Sequence, residues 1–460
     1  MKCDDDTDQA FDPDDYTTSD EIERPGDQRF WKWTALGLAT IAFAKGMRQP
    51  NLWSYTQAQL NYDVGFMRRG LFGWLLGRPL ALNHYANFAV LSTVLLLVLY
   101  GVLLLLTRTS RLGDLAPPGK LLAVYASSYS VTYFANLNGY LDIPLALLCL
   151  GPLFIRRTGL RLMAGLAATI VGILIHEEFF FAFVPLLAVS VAFGATTAQT
   201  PTLKRRACAG AILLAALGIA LTWYMGRHAS ISEEQTQQLA TLAARTTDRP
   251  LHDGVFGVLP RTPKQNLQIM ESVWKRPTFI PAQVESFLLF GPTAALLSWA
   301  TLLMLREWRP QRYRWLYAGT LLATLAPLSL NLVGWDKNRW NQLVCFNAFL
   351  MLLFVSRMLA GRPIRLPLKM RRLCLLVMLL NMATGNGLMD DVHIRPFPFM
   401  RNPNKPSAPS TISQLNQPRI LSGLAPSLHT AEAQTAAVQV HVARELVSGI
   451  AKVSVNAHVL

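Results

Sequence analysis

The chain has 460 residues, 52% hydrophobic and only 15% charged, and its apolar residues fall in blocks near the ~20 residues that a membrane-spanning helix needs. That composition reads as an all-α, polytopic transmembrane helical bundle. A net charge of +15 would suit nucleic acid, but Lys and Arg gather in short connections between apolar blocks, the pattern that sets membrane orientation, so nucleic acid is not expected as a partner.

Residues 1–30 carry Asp4, Asp5, Asp6, Asp8, Asp12, Asp14, Asp15, Asp20, Glu21, Glu23 and Asp27 with almost no apolar residues. Such a segment has nothing to bury and is expected to be a disordered acidic cytoplasmic region. It lacks the basic start of a signal peptide, so the first apolar block is expected to remain as an anchor. Eleven spans are then expected, at 31–47, 84–107, 120–137, 140–155, 160–176, 178–195, 207–225, 285–305, 315–333, 340–357 and 371–388. Trp31, Trp33, Trp223, Trp315 and Trp340 near span ends suit an interfacial belt. Cys149, Cys208, Cys345 and Cys374 lie in or beside apolar runs, and together with Cys3 they show no metal-ligand spacing.

Orientation follows from the basic residues. The connections 108–120, 156–161, 196–206, 306–314 and 357–372 hold 19 Lys and Arg in 55 positions, against 13 in 109 for the alternate set. The first set is therefore expected in the cytoplasm, with the amino terminus inside and the tail 389–460 outside, in the periplasm. The expected organisation is a transmembrane domain over 31–388 with outer loops 48–82 and 227–283. The inner connections contain only Asp114 and Glu307, whereas Asp63, Asp142, His176, Glu177, Glu178 and Asp336 fall in or beside outer ones. Chemistry is expected on the outer face.

Within 48–82, Phe66, Leu71 and Phe72 are placed to dip into the membrane interface while Arg68 and Arg69 stay polar. The polar loop 227–283 is long enough for a lid. Three stretches carry the candidate site: "YDVGFMRRG" with Asp63, Arg68 and Arg69, "NGYLDIP" with Asp142, and "GWDKNRW" with Asp336 and Arg339. A fourth, "LIHEEFFF", sets His176, Glu177 and Glu178 in an apolar run, where ionisable residues are costly and often kept for function. A carboxylate can take a proton from a sugar hydroxyl, and arginine can clamp a diphosphate by paired hydrogen bonds. Acid with arginine at a membrane surface suits a lipid-phosphate substrate. Structural readings stand beside these: Asp63 paired with Arg68, Asp336 with Arg339, Asp142 as a helix cap, and the HEE turn held by backbone hydrogen bonds. A zinc site is disfavoured, because there is no HExxH and no nearby Cys or His partner.

Many outward-facing spans, a first outer loop bearing Asp63 and a large later outer loop resemble the GT-C superfamily of polyprenyl-phosphate-sugar-dependent glycosyltransferases. "DVGFMRRGL", "IHEEFFF" and "GWDKNRW" are also similar to stretches of bacterial membrane proteins of surface-polysaccharide clusters. The resemblance implies a bacterial inner-membrane protein of exopolysaccharide biosynthesis that transfers or polymerises sugar units from a polyprenyl-linked donor at the outer face. It implies Asp63 as the acceptor-activating base; of the family's functional residues only this one carries over, since the paired-acid motif is absent. Arg68, Arg69 and Arg339 would be phosphate ligands, and His176, Glu177, Glu178, Asp142 and Asp336 substrate contacts. Glu177, Glu178 and Asp336 are alternatively contacts to a divalent cation. The expected partners are a polyprenyl-phosphate-linked saccharide, the lipid bilayer and other polysaccharide-assembly proteins. Export or flipping of the lipid-linked unit, and a structural role in the export machinery, are the alternatives.

Overall fold

The structure is a computed structural model and describes residues 25–109, 118–308, 314–334, 336–359 and 367–384. The tail 389–460 and residues 1–24 of the acidic segment lie outside the described residues. Among the described residues, those up to 275 and those from 283 to 384 form one compact unit, and residues 276–282 belong to another.

Among the described residues all regular structure is helical. Helix α1 (Pro25–Gly46) is followed by the short α2 (Leu52–Gln57) and α3 (Gly70–Leu76), then by the long α4 (Tyr85–Thr109). The next apolar block is interrupted, giving α5 (Pro118–Ser127) and α6 (Tyr129–Asn136). After α7 (Asp142–Leu153) and α8 (Thr158–Ile175) a second interrupted block forms α9 (Glu178–Ala182), α10 (Val184–Ala192) and α11 (Gly194–Thr197). Helix α12 (Pro201–His228) leads into three polar helices, α13 (Glu233–Thr246), α14 (Asp253–Phe256) and α15 (Pro263–Trp274). The chain returns through α16 (Phe279–Trp308), α17 (Arg314–Leu325) with a 3-10 turn over Ala326–Leu332, α18 (Lys337–Met358) and α19 (Leu368–Ala383).

The boundaries have local causes. Thr200 caps α12 by accepting from Leu203 N, and Pro201 at the first helical position loses no hydrogen bond there. Ser232 with Gln235 and Thr262 with Gln265 form reciprocal capping boxes that start α13 and α15. Pro327 has no N–H, so α17 cannot continue past it, and the chain tightens into the 3-10 turn. The carbonyl it leaves orphaned, Ala323 O, accepts instead from the buried Asn347 Nδ2 on α18 at 3.1 Å.

Among the described residues seven helices or helix runs are long and apolar enough to cross a membrane: Tyr85–Arg108, Thr158–Ile175, Glu178–Thr197, Pro201–His228, Phe279–Arg306, Arg314–Leu332 and Lys337–Met358. The chain is thus a multi-pass helical membrane protein. Their outward faces fit that solvent, since α4 shows Val90, Val94, Leu97 and Leu105 and α12 shows Ile212, Leu213 and Ile219. Helix also occupies all or part of the other four expected segments, as α1, the α5–α6 pair, α7 and α19, but these are shorter, interrupted or more polar.

Helix α18 is the centre of the bundle. Every residue from Arg339 to Ser356 is buried, which matches a helix apolar around most of its circumference. Close packing elsewhere relies on small residues. A Cβ added to Gly165 of α8 would come within 2.8 Å of Leu214 of α12, and one on Gly210 of α12 would meet Leu162 of α8 at the same distance. A second, smaller core lies beyond the bundle, where Leu60 and Met67 of the first long loop pack with Ile231, Leu239, Ala243, Val255, Phe256 and Leu259. Residues 48–82 and 227–275 therefore share one side of the molecule, termed the loop face here, and are built on each other.

Candidate functional site

Three tight turns bring charge to the loop face. Gly139, at φ +93°, reverses the chain after α6 in a conformation that side chains resist, and a Cβ there would also press on Pro50 and Ser54 at 2.8 Å. Asp142 follows as the first residue of α7. At the end of α8, His176 adopts an extended conformation and Glu178 opens α9. Phe179 folds back onto Gly172, whose missing side chain makes the room. His176 Nδ1 accepts from Glu178 N at 3.1 Å, so the imidazole pins the turn. In the third turn Asp336 immediately precedes α18, and Arg339 projects from its first turn.

These residues meet although they lie far apart in sequence. Arg339 Nε donates to Asp142 Oδ1 and Oδ2 at 2.8 and 2.9 Å, and Arg339 Nη2 reaches Asp142 Oδ2 at 2.8 Å and Glu178 Oε2 at 2.5 Å. The guanidinium also lies 5.4 Å from the Tyr140 ring centroid and 4.8 Å from that of Trp340. Asp142 is 0% exposed, Glu178 1% and Arg339 6%, so this is a fully enclosed ion cluster joining α7, α9 and α18. Asp336 lies within electrostatic reach of both Arg339 and Glu178.

A second pair stands above it, nearer solvent. Arg69 Nε faces both Glu177 oxygens at 3.2 Å, and Arg69 Nη2 lies 2.5 Å from Glu177 Oε1. The two side chains keep 19% and 24% of their surface. Arg69 sits at φ +65°, a left-handed conformation uncommon for a non-glycine residue and one that often marks a constrained functional position. Burial raises the Glu177 carboxyl, but Arg69 outweighs it and holds the group well below the usual carboxylate range. His176 lies 3.8 Å from both Glu177 Oε2 and Glu178 Oε2. Burial, reinforced by Arg69, pushes its imidazole down to about 3, so it is neutral near pH 7. With Nδ1 accepting, its proton belongs on Nε2.

The other candidates are placed apart from this cluster. Arg68, next to Arg69 in sequence, points the other way: its Nη2 donates to the carbonyls of Val258, Leu259 and Arg261 at 3.2, 3.1 and 2.7 Å, and its backbone N donates to Ala229 O at 3.0 Å. It ties the first long loop to the 227–275 helices. Asp63 lies on the surface, 3.2 Å from Arg78 Nη2, and its backbone N donates to Asn61 Oδ1 at 2.9 Å. The sequence pair Asp63–Arg68 is thus not the salt bridge found, since Arg78 takes Asp63, and Arg339, which the sequence pairs with Asp336, also engages Asp142 and Glu178. Asp142 makes no capping bond. Arg78 and Tyr140 were not singled out by sequence; the adjacency of Tyr140 to Gly139 and Asp142 in "NGYLD" was the available signal.

No family model, curated protein or solved structure matches the chain. Among the described residues no group of three or more His, Cys, Asp and Glu side chains could hold a metal ion. The carboxylates of the cluster are turned to arginines: Asp142 and Glu178 engage Arg339, and Glu177 engages Arg69.

Proposed function

We propose that this is a bacterial inner-membrane protein of cell-surface polysaccharide biosynthesis, with eleven spans, the amino terminus inside and the loop face outside. It transfers or polymerises sugar units from a polyprenyl-linked donor at that face. The observation that supports this reading best is the partly exposed Arg69–Glu177 pair, fixed over an enclosed ion cluster and beside a membrane-level helix. Helix α3 begins next to Arg69 and exposes Trp74 and Leu75, which suit the bilayer interface. A diphosphate arriving from the lipid would exchange for Glu177 on the Arg69 guanidinium, with the same bidentate geometry. Asp63, on the same loop and engaged only on the surface, remains available to take the acceptor hydroxyl proton. Asp142, Glu178, Arg339 and His176 would hold the turn that carries Glu177. Any divalent cation would come with the diphosphate.

The test is binding and turnover together. Purified protein should bind a polyprenyl diphosphate, Arg69→Ala should weaken that binding, and Asp63→Asn should stop polymer production while the protein still accumulates in membranes. Full polymer production by Asp63→Asn would remove the base assignment, and no binding to the lipid diphosphate would remove the substrate class.

Export or flipping of the lipid-linked unit is a second reading, favoured by the interrupted helices α5–α6, α9–α10 and α17 with its 3-10 turn. Discontinuous helices commonly mark binding sites in transporters. Movement of a labelled lipid-linked saccharide across proteoliposomes without sugar transfer would favour it.

A further inference from the structure

Helices α7, α8 and α18 converge a second time, on the side of the bundle opposite the loop face. Helices α7 and α18 start at the loop face and α8 finishes there, so Leu153, Met358 and Thr158 lie at the other end. The turn between α7 and α8 reads "FIRRT". Arg161, 2% exposed, folds back over it: Nε and Nη2 donate to Ile155 O at 2.8 and 2.6 Å, and Nη1 donates to Ser190 O of α10 at 2.6 Å. The Arg357 guanidinium, near the end of α18, lies 5.7 Å from the ring centroid of Phe154 on the same turn. Arg357 is within electrostatic reach of both Arg161 and Arg156.

The two ends of the bundle differ in how this charge is met. At the loop face Arg339 holds two carboxylates, whereas the equally enclosed Arg161 meets backbone carbonyls and the Met358 sulfur. Residues 143–176, 179–232 and 337–389 contain no Asp or Glu, so α8, α10, α12 and α18, which pack around the turn, cannot supply one. Arg156 and Arg157 are exposed and Arg357 is half-buried. Among the described residues none of these three forms an ion pair or donates a side-chain hydrogen bond. Basic turns orient a chain in the membrane, but orientation does not require the fold to draw an α18 arginine onto an α7–α8 turn. Like charges held together repel, and an anion seated among them removes that cost.

The surface beside the turn says which anion. Leu160 and Met163 of α8 are 58% and 65% exposed, and with the exposed Ala167 and Ile170 they form one stripe at helical spacing that starts beneath Arg156 and Arg157. A soluble anion would use the guanidiniums alone, while a phospholipid uses the guanidiniums and the stripe together. Basic clusters between membrane helices are suited to such headgroups.

We infer that the α7–α8 turn with Arg357 is a binding site for one anionic phospholipid. Arg156, Arg157 and Arg357 ligate its phosphate, and an acyl chain lies along Leu160, Met163 and Ile170. Arg161 is a positioning residue, holding the turn through Ile155 O. The inference does not depend on which reaction the loop face performs.

Full-length protein, delipidated in detergent, is titrated with phosphatidylglycerol and separately with phosphatidylethanolamine, whose headgroup has no net charge, and bound lipid is counted by native mass spectrometry. The native chain should take up one phosphatidylglycerol at concentrations where phosphatidylethanolamine does not bind. A basic residue beside an anionic headgroup strengthens binding about fivefold, so Arg156→Gln with Arg357→Gln should weaken this step about thirtyfold. Arg205→Gln with Arg206→Gln, which neutralises two exposed arginines in the first turns of α12 at the same end, should leave it within about twofold. If Arg357→Gln does not fold, Arg156→Gln with Arg157→Gln, both on the exposed turn, makes the same comparison. Equal weakening by the α12 variant would mean a general basic surface and overturns the site, as does equal uptake of the two lipids. Uptake that appears only after removal of residues 1–23 would assign the patch to the acidic amino-terminal segment and overturns it as well.

Discussion

Arg339 and Asp142 are 197 residues apart in sequence and form a two-point ion pair inside the bundle, with Glu178 on the same guanidinium. The pair fixes the start of the central helix α18 to the start of α7, and through Glu178 to the turn that carries Glu177. Removing one partner of a buried ion pair leaves the others charged without compensation, which commonly costs about 3–5 kcal/mol. Arg339→Gln should therefore sharply reduce the folded protein recovered in detergent. Arg339→Lys should rescue little of it, since an ammonium cannot reproduce the fork that holds two carboxylates. A Lys variant as thermostable as the parent would show that the geometry is not needed.

Arg68 leads to a different expectation from its neighbour. Its three carbonyl contacts bind residues 258–261 to the first long loop, and hydrogen bonds from a charged donor are worth about 1.5–3 kcal/mol each. Arg68→Ala should leave the bundle folded but loosen this attachment, making residues 247–262 roughly tenfold or more easier to cleave in limited proteolysis. Unchanged cleavage would mean that the small loop-face core of Leu60, Met67, Phe256 and Leu259 holds the segment without Arg68.

The helical class and the grouping of acids on one face were legible because both are properties of stretches of sequence: apolar length, basic connections, and acids confined to alternate turns. The pairings were not. Which arginine meets which carboxylate depends on how α7, α9 and α18 are brought together, so the local choices Asp63–Arg68 and Asp336–Arg339 compete with partners far away in sequence. Arg68 and Arg69 look equivalent in "MRRG", yet the left-handed backbone at Arg69 sends them to opposite tasks. Helix interruptions were hidden as well, since "YASSYSV" is apolar and small enough to read as continuous helix, and only the orphan carbonyls and their Asn partners reveal the break.

Acid should weaken the loop-face turn in a defined window. The His176 imidazole has its ordinary value of 6.5 lowered to about 3 in the folded chain, by burial first and Arg69 second. The unfolded chain thus binds the proton more readily, and stability rises with pH between these values. Its contribution is complete above about 6.5 and declines as the pH falls toward about 3. Glu177 is depressed too, so its contribution adds loss only further down, below the ordinary 4.5. Melting temperature should accordingly drop between pH 7 and pH 5, and His176→Gln should flatten that part of the curve. An equal slope in the variant would assign the acid sensitivity to other groups.

The last expectation separates two adjacent glutamates. Glu178 is enclosed and shares Arg339 with Asp142, whereas Glu177 keeps a quarter of its side-chain surface and faces Arg69 at the boundary of the site. Their tasks should therefore divide between holding the fold and handling substrate. Glu178→Gln alters the charge balance of an enclosed site, so its effect should be read in stability, as a shifted melting temperature, with activity per folded molecule nearly kept. Glu177→Gln should lower the melting temperature less than Glu178→Gln does, because solvent at the partly exposed Arg69–Glu177 pair screens part of its attraction. Its effect should appear in function: if Glu177 is the group that a diphosphate displaces from Arg69, the neutral amide competes less well, and lipid diphosphate should bind more tightly to the variant while Arg69→Ala binds more weakly. Opposite signs for these two substitutions, measured on the same purified protein, would be hard to obtain from a purely structural turn. Weaker binding in both would make Glu177 a direct substrate contact, and no change in either would remove the Arg69–Glu177 pair from the site.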